Sequence, residues 1–161
     1  ILSGKKELIE RIYKNPMYRT LRCDKYRIAL MEKILRTYDS RDCVSKSNLA
    51  LQLFLRSREQ LDKNAQKVIK NLNESIKKNF TFKIVDTLVE AGSGSLPTEK
   101  IESVAITIKS DSLSPNKISK KLRLCNSPIF NYIKNDLVHI DFKAITDDQL
   151  DVISEQINTC L

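Results

Sequence analysis

The fold is decided at FKIVDTLVE (Phe82–Glu90), where a helical pattern of apolar residues gives way to alternating and β-branched ones. Such a composition is typical of a β-strand. Similar runs follow at Val104–Ile108, Ile129–Ile133 and Leu137–Phe142. The last two are separated by Lys134-Asn135-Asp136, which predicts a short hairpin turn. We therefore predict a small sheet of mostly antiparallel strands.

Helices are predicted before, between and after these strands in the sequence. Capping residues and apolar spacings of three and four predict them over Lys5–Lys14, Asp24–Tyr38, Ser57–Asn79, Ser114–Leu124 and from Thr146 onward. In the longest helix the inner stripe is Leu61, Ala65, Val68, Leu72 and Ile76, and another face carries Lys63, Lys67, Lys70 and Lys77. The fold class is therefore predicted to be α+β, with helices on one face of the sheet.

A polar break at Asp39–Asp42 predicts a boundary between two parts of the chain, residues 1–38 and residues 39–161. The first three residues resemble the end of a buried strand. A length of 161 residues accommodates one compact domain, or one domain and a piece of another. The apolar runs are too short to span a membrane and no signal peptide is evident, so a cytoplasmic location is expected.

The net charge of +8 is concentrated in the first half of the chain. Residues 1–80 carry 19 Lys and Arg against 9 Asp and Glu, whereas residues 81–161 carry 9 against 11. This asymmetry indicates an anionic partner for the first half. Because aromatic residues make up only 6% of the chain, contact with phosphates is favoured over readout of bases.

The four cysteines and the single histidine do not form a pattern typical of a metal site or a nucleophilic triad. Cys23, Cys43, Cys125 and Cys160 are widely separated, which favours reduced thiols over a disulfide framework and disfavours zinc. His139 is predicted to be an ordinary, partly exposed strand residue rather than a catalytic one. The glycine-containing stretch Ala91–Pro97 lacks the features of a phosphate-binding loop and is interpreted as a flexible turn.

The candidate site is a pair of arginines, Arg19 and Arg22, directly before the helix predicted from Asp24. Helix N-termini attract anions, and guanidinium groups bind carboxylate and phosphate through paired hydrogen bonds. An anion pocket is therefore one interpretation of this stretch. The alternative is that both arginines are solvated or paired with acids such as Glu10 and Asp24.

Several segments resemble the bacterial selenocysteine synthase family, the L-seryl-tRNA(Sec) selenium transferases. The resemblance is carried by Gly4–Ile9, Asn15-Pro16 and the Arg-x-x-Arg-x-Asp-Lys element at Arg19–Lys25, and continues through Ala29–Tyr38. Further matches are Gly94–Pro97, Leu122-Arg123, Pro128-Ile129 and Asp141.

This resemblance implies the C-terminal small domain of a fold-type I pyridoxal-phosphate enzyme, preceded by the tail of the large domain. It places the cofactor lysine upstream of Ile1, so neither Lys5 nor Lys6 takes that role and this fragment alone is expected to be inactive. It also implies that Arg19 and Arg22 line the active site, that seryl-tRNA(Sec) and selenophosphate are the substrates, and that the full-length protein is a homo-oligomer.

Three positions depart from the family pattern. An arginine of the family is replaced at Tyr132, a second is replaced by Lys143, and the glycine run is thinned at Ala91. These departures leave two alternatives open. One is a lyase or aldolase of the same family that acts on a small phosphorylated substrate, and the other is a non-catalytic domain for RNA contact or assembly.

Overall fold

The computed structural model describes residues 3–39, 48–90 and 100–161, and the chain divides into two compact units between Asn48 and Leu49. The predicted break at Asp39–Asp42 and the glycine-containing turn at 91–97 fall almost wholly outside the described residues. The same applies to Cys43 and to the strand end predicted at residues 1–3. The division at residues 38 and 39, with the first part as the tail of a larger domain, stays a prediction.

The N-terminal unit consists of short helical segments. They are α1 (Lys6–Lys14), a 3₁₀ helix (Pro16–Leu21), α2 (Lys25–Arg36) and a second 3₁₀ turn (Thr37–Asp39). Asn15-Pro16 ends α1 as predicted, and the Asn15 side chain accepts a hydrogen bond from the Met17 N–H at 2.9 Å. Pro16 opens the 3₁₀ helix, because proline has no N–H to lose at a first helical position.

The apolar stripe predicted on α2 is present but uncovered among the described residues. Ile28, Met31, Ile34 and Leu35 are each roughly half exposed, and α1, α2 and the 3₁₀ helix between them contain no buried residue. An isolated helix of this length is marginal in water, and most helical stability comes from packing an apolar face. The N-terminal unit therefore has amphipathic segments without a core of its own within the described residues.

The C-terminal unit contains a four-stranded antiparallel sheet in the order β1-β2-β4-β3. Its elements are α3 (Leu49–Leu55), α4 (Arg58–Lys70), α5 (Glu74–Asn79), β1 (Thr81–Glu90), β2 (Lys100–Lys109), α6 (Pro115–Arg123), β3 (Tyr132–Lys134), β4 (Leu137–Asp141), a 3₁₀ turn (Asp147–Gln149) and α7 (Leu150–Cys160). The predicted α+β class and mostly antiparallel sheet are confirmed. The sequence analysis did not predict α3.

The hairpin between β3 and β4 confirms the predicted turn and shows its type. Lys134 pairs with Leu137, so the connection is the two residues Asn135 and Asp136. Both have positive φ, 52° and 56°, which is the backbone of a type I′ turn. Asn and Asp tolerate this region better than other non-glycine residues, which explains why the turn forms without glycine.

Helices α4, α6 and α7 cover one face of the sheet, and α5 adds Ile76 to the same core. The core joins the inward residues of β2 and β4 to α4, α6 and α7: Leu61, Ala65, Val68, Val104, Ile106, Ile108, Ile118, Leu122, Val138, Ile140, Phe142, Leu150, Ile153 and Ile157. The inner stripe predicted for the long helix is buried as expected. The capping boxes at Ser57–Gln60 and Thr146–Gln149 are also formed.

Two predicted elements differ from the structure. The helix predicted over Ser57–Asn79 breaks at Asn71–Asn73, because Asn158 of α7 binds the backbone there. Its Oδ1 accepts from the Asn73 N–H at 2.8 Å and its Nδ2 donates to the Asn71 carbonyl at 3.1 Å. The strand predicted from Ile129 begins only at Tyr132, since the Ile129 N–H donates to the Leu122 carbonyl instead of to a strand.

The prediction of reduced thiols is wrong for one pair of cysteines. Cys125, after α6, and Cys160, at the end of α7, form a disulfide across a sequence separation of 35 residues, with their Cα atoms 6.1 Å apart. A sequence without clustered cysteines hides this proximity, since it arises only when α6 and α7 pack side by side on the sheet. Cys23 is free and exposed.

We predict that Asn158→Ala destabilises the chain by about 1–2 kcal/mol, because two backbone groups at the α4–α5 break lose their partner. Urea denaturation followed by circular dichroism measures this change. Asn158→Asp keeps the acceptor but not the donor. Its free energy of unfolding is expected to lie between those of the parent chain and Asn158→Ala. A loss no larger than that of the exposed control Glu155→Gln would contradict the assigned role of Asn158.

Candidate functional site

The predicted arginine pair lies on the short segment between α1 and α2. Arg19 belongs to the 3₁₀ helix, and Arg22 follows as its C-cap with an extended backbone, its N–H donating to the Arg19 carbonyl at 3.4 Å. Residues three apart lie on the same side of a 3₁₀ helix. The two arginines, which are both exposed, therefore lie one turn apart along the backbone.

The segment is held by contacts before Arg19 and between the two arginines. The ring of Tyr18 lies 5.6 Å from the ring of Tyr13 in α1, and the Thr20 hydroxyl donates to the Met17 carbonyl at 2.6 Å. The ring contact joins α1 to the 3₁₀ helix, and the hydrogen bond closes the turn of that helix that contains Arg19. The site is thus positioned by local structure.

The two acids considered as partners of the arginines have other partners. Asp24 accepts from the Arg27 N–H at 2.9 Å and forms an ion pair with the Arg27 side chain at 3.2 Å. Glu10 lies 4.0 Å from Lys6. Among residues 3–39, neither Arg19 nor Arg22 forms an ion pair. Two guanidinium groups are consequently available to an anion in this part of the structure.

The helix terminus contributes less to this site than the sequence suggested. Asp24 is the N-cap of α2, as predicted, and its carboxylate already occupies the Arg27 N–H. A carboxylate at this position also offsets the positive end of the helix dipole. The groups of this segment without an acidic partner are therefore the guanidinium groups of Arg19 and Arg22, whereas the first turn of α2 is already capped by Asp24.

The expectation that His139 is partly exposed is wrong. His139 is 7% exposed and lies on the outer face of the sheet, the face opposite the helices. The ring of Tyr132, its partner across the β3–β4 hairpin, stacks on it at 5.0 Å with an interplanar angle of 11°. Burial raises the pKa of the Tyr132 phenol, and the nearby Asp141 carboxylate raises it further.

A hydrogen-bond network around Asp141 was not predicted from the sequence. The Thr87 hydroxyl of β1 and the Ser103 hydroxyl of β2 each donate to the Asp141 carboxylate at 2.6 Å. The backbone N–H of Lys143 donates to the same carboxylate at 3.0 Å. The signal was available in principle, because Thr87, Ser103 and Asp141 occupy outward positions on three adjacent strands.

Lys143 is buried and serves the structure of the C-terminal unit. Its Nζ donates to the Arg56 carbonyl at 3.0 Å, just before α4. Burial lowers the pKa of Lys143, and the nearby Arg56 lowers it as well, whereas Asp141 and Glu102 oppose the shift. The Arg56 guanidinium in turn donates to the Ile145 carbonyl and to Asp147.

The described residues do not fit a pyridoxal phosphate site of their own. Lys5 and Lys6 are exposed at the start of α1, and the buried Lys143 ammonium is already bound to a backbone carbonyl. A groove of about 790 Å³ on the outer face of the sheet is lined by charges of both signs, including Arg58, Asp86 and Glu102. Such a surface lacks the features of a phosphate cradle.

Two searches of the described residues gave negative results. No group of three or more His, Cys, Asp and Glu residues is placed to hold a metal ion in the described parts of the chain. Within the same parts, each helix is too short or too polar to cross a membrane.

Comparison with known proteins identifies the family. The sequence profile described as L-seryl-tRNA selenium transferase matches residues 1–146. The chain belongs to the L-seryl-tRNA selenium transferase family. The family resemblance derived from the Arg-x-x-Arg-x-Asp-Lys element is thereby confirmed.

Curated relatives named L-seryl-tRNA(Sec) selenium transferase give the same result. The protein of Desulfotalea psychrophila is 31% identical over 154 residues, that of Mannheimia succiniciproducens 33% over 147, and that of Clostridium botulinum 31% over 161. The matches cover 95%, 91% and 100% of this chain, but 33%, 32% and 35% of the relatives. The chain therefore spans about a third of the length of these family members.

We predict that Asp141→Ala destabilises the C-terminal unit by about 2–4 kcal/mol, because two hydroxyls and one N–H lose a charged acceptor. Asp86→Ala is the matched control, since Asp86 forms an exposed ion pair with Arg58 and its removal is expected to cost less than about 1 kcal/mol. Urea denaturation of both variants measures the difference. Equal losses would show that the Asp141 network contributes no more than a surface pair.

Proposed function

We propose that this chain is the C-terminal part of a pyridoxal-phosphate-dependent selenium transferase that converts seryl-tRNA(Sec) to selenocysteinyl-tRNA(Sec) with selenophosphate. The observation that carries the proposal is the arginine pair: Arg19 and Arg22 are exposed, lie one turn apart and have no acidic partner among residues 3–39. Family membership supplies the reaction to which this pair is assigned.

In this proposal Arg19 and Arg22 bind the phosphoryl-type anion that delivers selenium. A guanidinium group is planar, stays charged at any working pH and offers paired donors that match a phosphate face. Two such groups at neighbouring positions give one doubly charged clamp. Its task is to orient the anion toward the reacting carbon of the seryl group, and orientation of this kind contributes strongly to catalytic rate.

The cofactor and its lysine are assigned to the remaining two thirds of the protein. Pyridoxal phosphate supplies an electron sink that allows the seryl hydroxyl to be eliminated before selenium is added. We assign neither Lys5, Lys6 nor Lys143 to the cofactor, because the first two are exposed and the third donates to the Arg56 carbonyl. The chain alone is accordingly expected to be inactive. The complete protein is proposed to be a cytoplasmic homo-oligomer.

We predict that Arg19→Ala and Arg22→Ala in the full-length protein each lower kcat/KM for selenophosphate by about 10- to 150-fold. The estimate corresponds to the loss of one charge-assisted contact of about 1.5–3 kcal/mol. Lysine at either position is expected to restore only part of the activity, because the paired donors are lost. Steady-state assays with seryl-tRNA(Sec) at saturation measure these constants.

Arg36→Ala is the matched control, because Arg36 lies on the same unit but is paired with Glu32 at 2.7 Å. Its kcat/KM is expected to stay within about twofold of the parent protein, since exposed pairs contribute little. If the variants at Arg19 and Arg22 behave like Arg36→Ala, the clamp has no role in the reaction.

The same assay distinguishes the transferase from the alternative, a lyase or aldolase of the same family. The replacements at Tyr132 and Lys143 are the observations that favour another substrate. Tyr132 stacks on His139, and Lys143 binds the Arg56 carbonyl. Each side chain therefore has a structural role in this chain, and neither takes the place of the arginine expected from the family pattern. Turnover of a small phosphorylated amino acid or sugar acid, without turnover of seryl-tRNA(Sec), would identify the protein as a lyase and contradict the transferase assignment.

A further inference from the structure

The disulfide between Cys125 and Cys160 joins the ends of two neighbouring helices. Cys125 lies just after α6, and Cys160 is the last residue of α7. The two cysteines differ in their access to solvent, since Cys125 is 6% exposed and Cys160 is partly exposed. A small thiol in solution therefore reaches this disulfide from the side of Cys160.

The core of the C-terminal unit does not depend on this bond. Leu150, Ile153 and Ile157 hold α7 on the core that it shares with α4 and α6. The Gln156 side chain gives a second connection between the two helix ends, because its Oε1 accepts from the Ser127 N–H at 3.2 Å. Domains that cannot build a sufficient core are the ones that need disulfides to fold. We therefore expect the unit to stay folded when the bond is reduced.

The surroundings of Cys125 accept both oxidation states. Its Sγ lies 3.3 Å from the Lys121 carbonyl and 3.9 Å from the Gln156 carbonyl. A thiol at this position has an acceptor in place, so reduction buries no unsatisfied donor. A thiolate formed during exchange lies after the last turn of α6, where Lys120, Lys121 and Arg123 offset the negative end of the helix dipole. The bridged and the open pair therefore fit the same packing.

The last turn of α7 is where the two oxidation states differ. Among the described residues, the part of α7 after Ile157 is joined to other elements by the two hydrogen bonds of Asn158, by the disulfide and by Leu161, which packs against the core. Asn158 precedes Cys160 by two residues and binds the backbone at the break between α4 and α5. Because helix ends open locally at low free energy, loss of the covalent link weakens the support of Asn158 and of the break.

We propose that the Cys125–Cys160 pair is a reversible redox switch that controls the order of the last turn of α7 and of the α4–α5 break. The inference goes beyond the proposed function and rests on one part of it, the cytoplasmic location. Disulfides are rare in that compartment, and those that form there are usually transient and serve redox sensing or catalysis. The alternative is a permanent structural disulfide, and the tests distinguish the two.

The exchange requires a low-molecular-weight thiol, of which glutathione is the probe used here. Its thiolate attacks the Cys160 sulfur, the protein disulfide breaks, a mixed disulfide forms at Cys160, and Cys125 leaves as a thiolate. A second glutathione thiolate attacks the sulfur of the bound glutathione, which releases oxidised glutathione and the Cys160 thiolate. Each cysteine thiolate takes up the proton that one glutathione released. Two glutathione molecules are thus oxidised, and the protein disulfide is reduced to two thiols.

The first test equilibrates the full-length protein, from both directions, with reduced and oxidised glutathione at ratios between about 1:10 and about 1000:1. Differential alkylation followed by mass spectrometry of the peptides that contain Cys125 and Cys160 measures the bridged fraction. This fraction is expected to fall from above about 90% to below about 10% across the series and to recover when oxidised glutathione is restored. A pair that stays bridged in the most reducing mixture, or open in the most oxidising one, would overturn the proposal.

The second test compares hydrogen exchange of the oxidised and reduced full-length protein by mass spectrometry. The Asn73 amide donates to Asn158, so the peptide across the α4–α5 break reports on the switch. Reduction is expected to speed exchange in that peptide and in the last turn of α7 by at least about threefold, because a covalent restraint is lost. Peptides of the buried strand β2 are the internal reference and are expected to keep their rates.

Two variants control this measurement. Cys160→Ser is expected to exchange like the reduced parent protein in both mixtures. Cys23→Ser is the matched control, because Cys23 is free and exposed, and its response to reduction is expected to equal that of the parent.

Equal exchange in the oxidised and reduced parent protein would overturn the proposal, since the pair would then bridge without controlling order. Loss of the response in Cys23→Ser would also overturn it, because the response would then arise at another thiol. Neither test involves selenium transfer. A parent protein that passes both tests but transfers no selenium would contradict the proposed function and leave the switch established.

Discussion

The structure of the C-terminal unit depends on burying β2 on both of its faces. Val104, Ile106 and Ile108 face the helices, while Ser103 and Thr107 face the other way and are also almost fully buried. A strand in this position must satisfy every polar group without water. Ser103 does so through Asp141, and Thr107 through the Lys83 carbonyl at 3.2 Å. The apolar core and the polar outer network are thus two sides of one strand.

Much of the fold was predictable because it is specified by local chemistry. Ser57 and Gln60, Asn15-Pro16 and the Asn135-Asp136 turn act within a few residues of themselves, and each begins or ends an element where the sequence predicted. The α4–α5 break, the Cys125–Cys160 disulfide and the burial of His139 were missed for the opposite reason. Each depends on a residue distant in sequence. The residues are Asn158 for the break, Cys160 for the disulfide, and Thr107, the partner of His139 on β2, for its burial.

The candidate site shows the same division. The spacing of Arg19 and Arg22 and the cap at Asp24 follow from the sequence. The preference of Asp24 for Arg27, which leaves the pair without a carboxylate among residues 3–39, required coordinates. The sequence also suggested a larger role in anion binding for the N-terminus of α2. In the structure, the Arg27 N–H of that terminus already donates to the Asp24 carboxylate. Pattern identified the residues, and hydrogen-bond geometry showed which groups are free to act.

The contacts of Arg56 have a consequence for the order of folding. Its guanidinium binds Ile145 and Asp147, and its carbonyl receives Lys143, across sequence separations of 87 to 91 residues. Closing a loop of that size costs on the order of 4 kcal/mol in chain entropy, so these bonds become favourable only after the strands between them have paired. The hydrogen bonds of Arg56 therefore form late in folding. Their strength affects the unfolding rate of the C-terminal unit more than its folding rate.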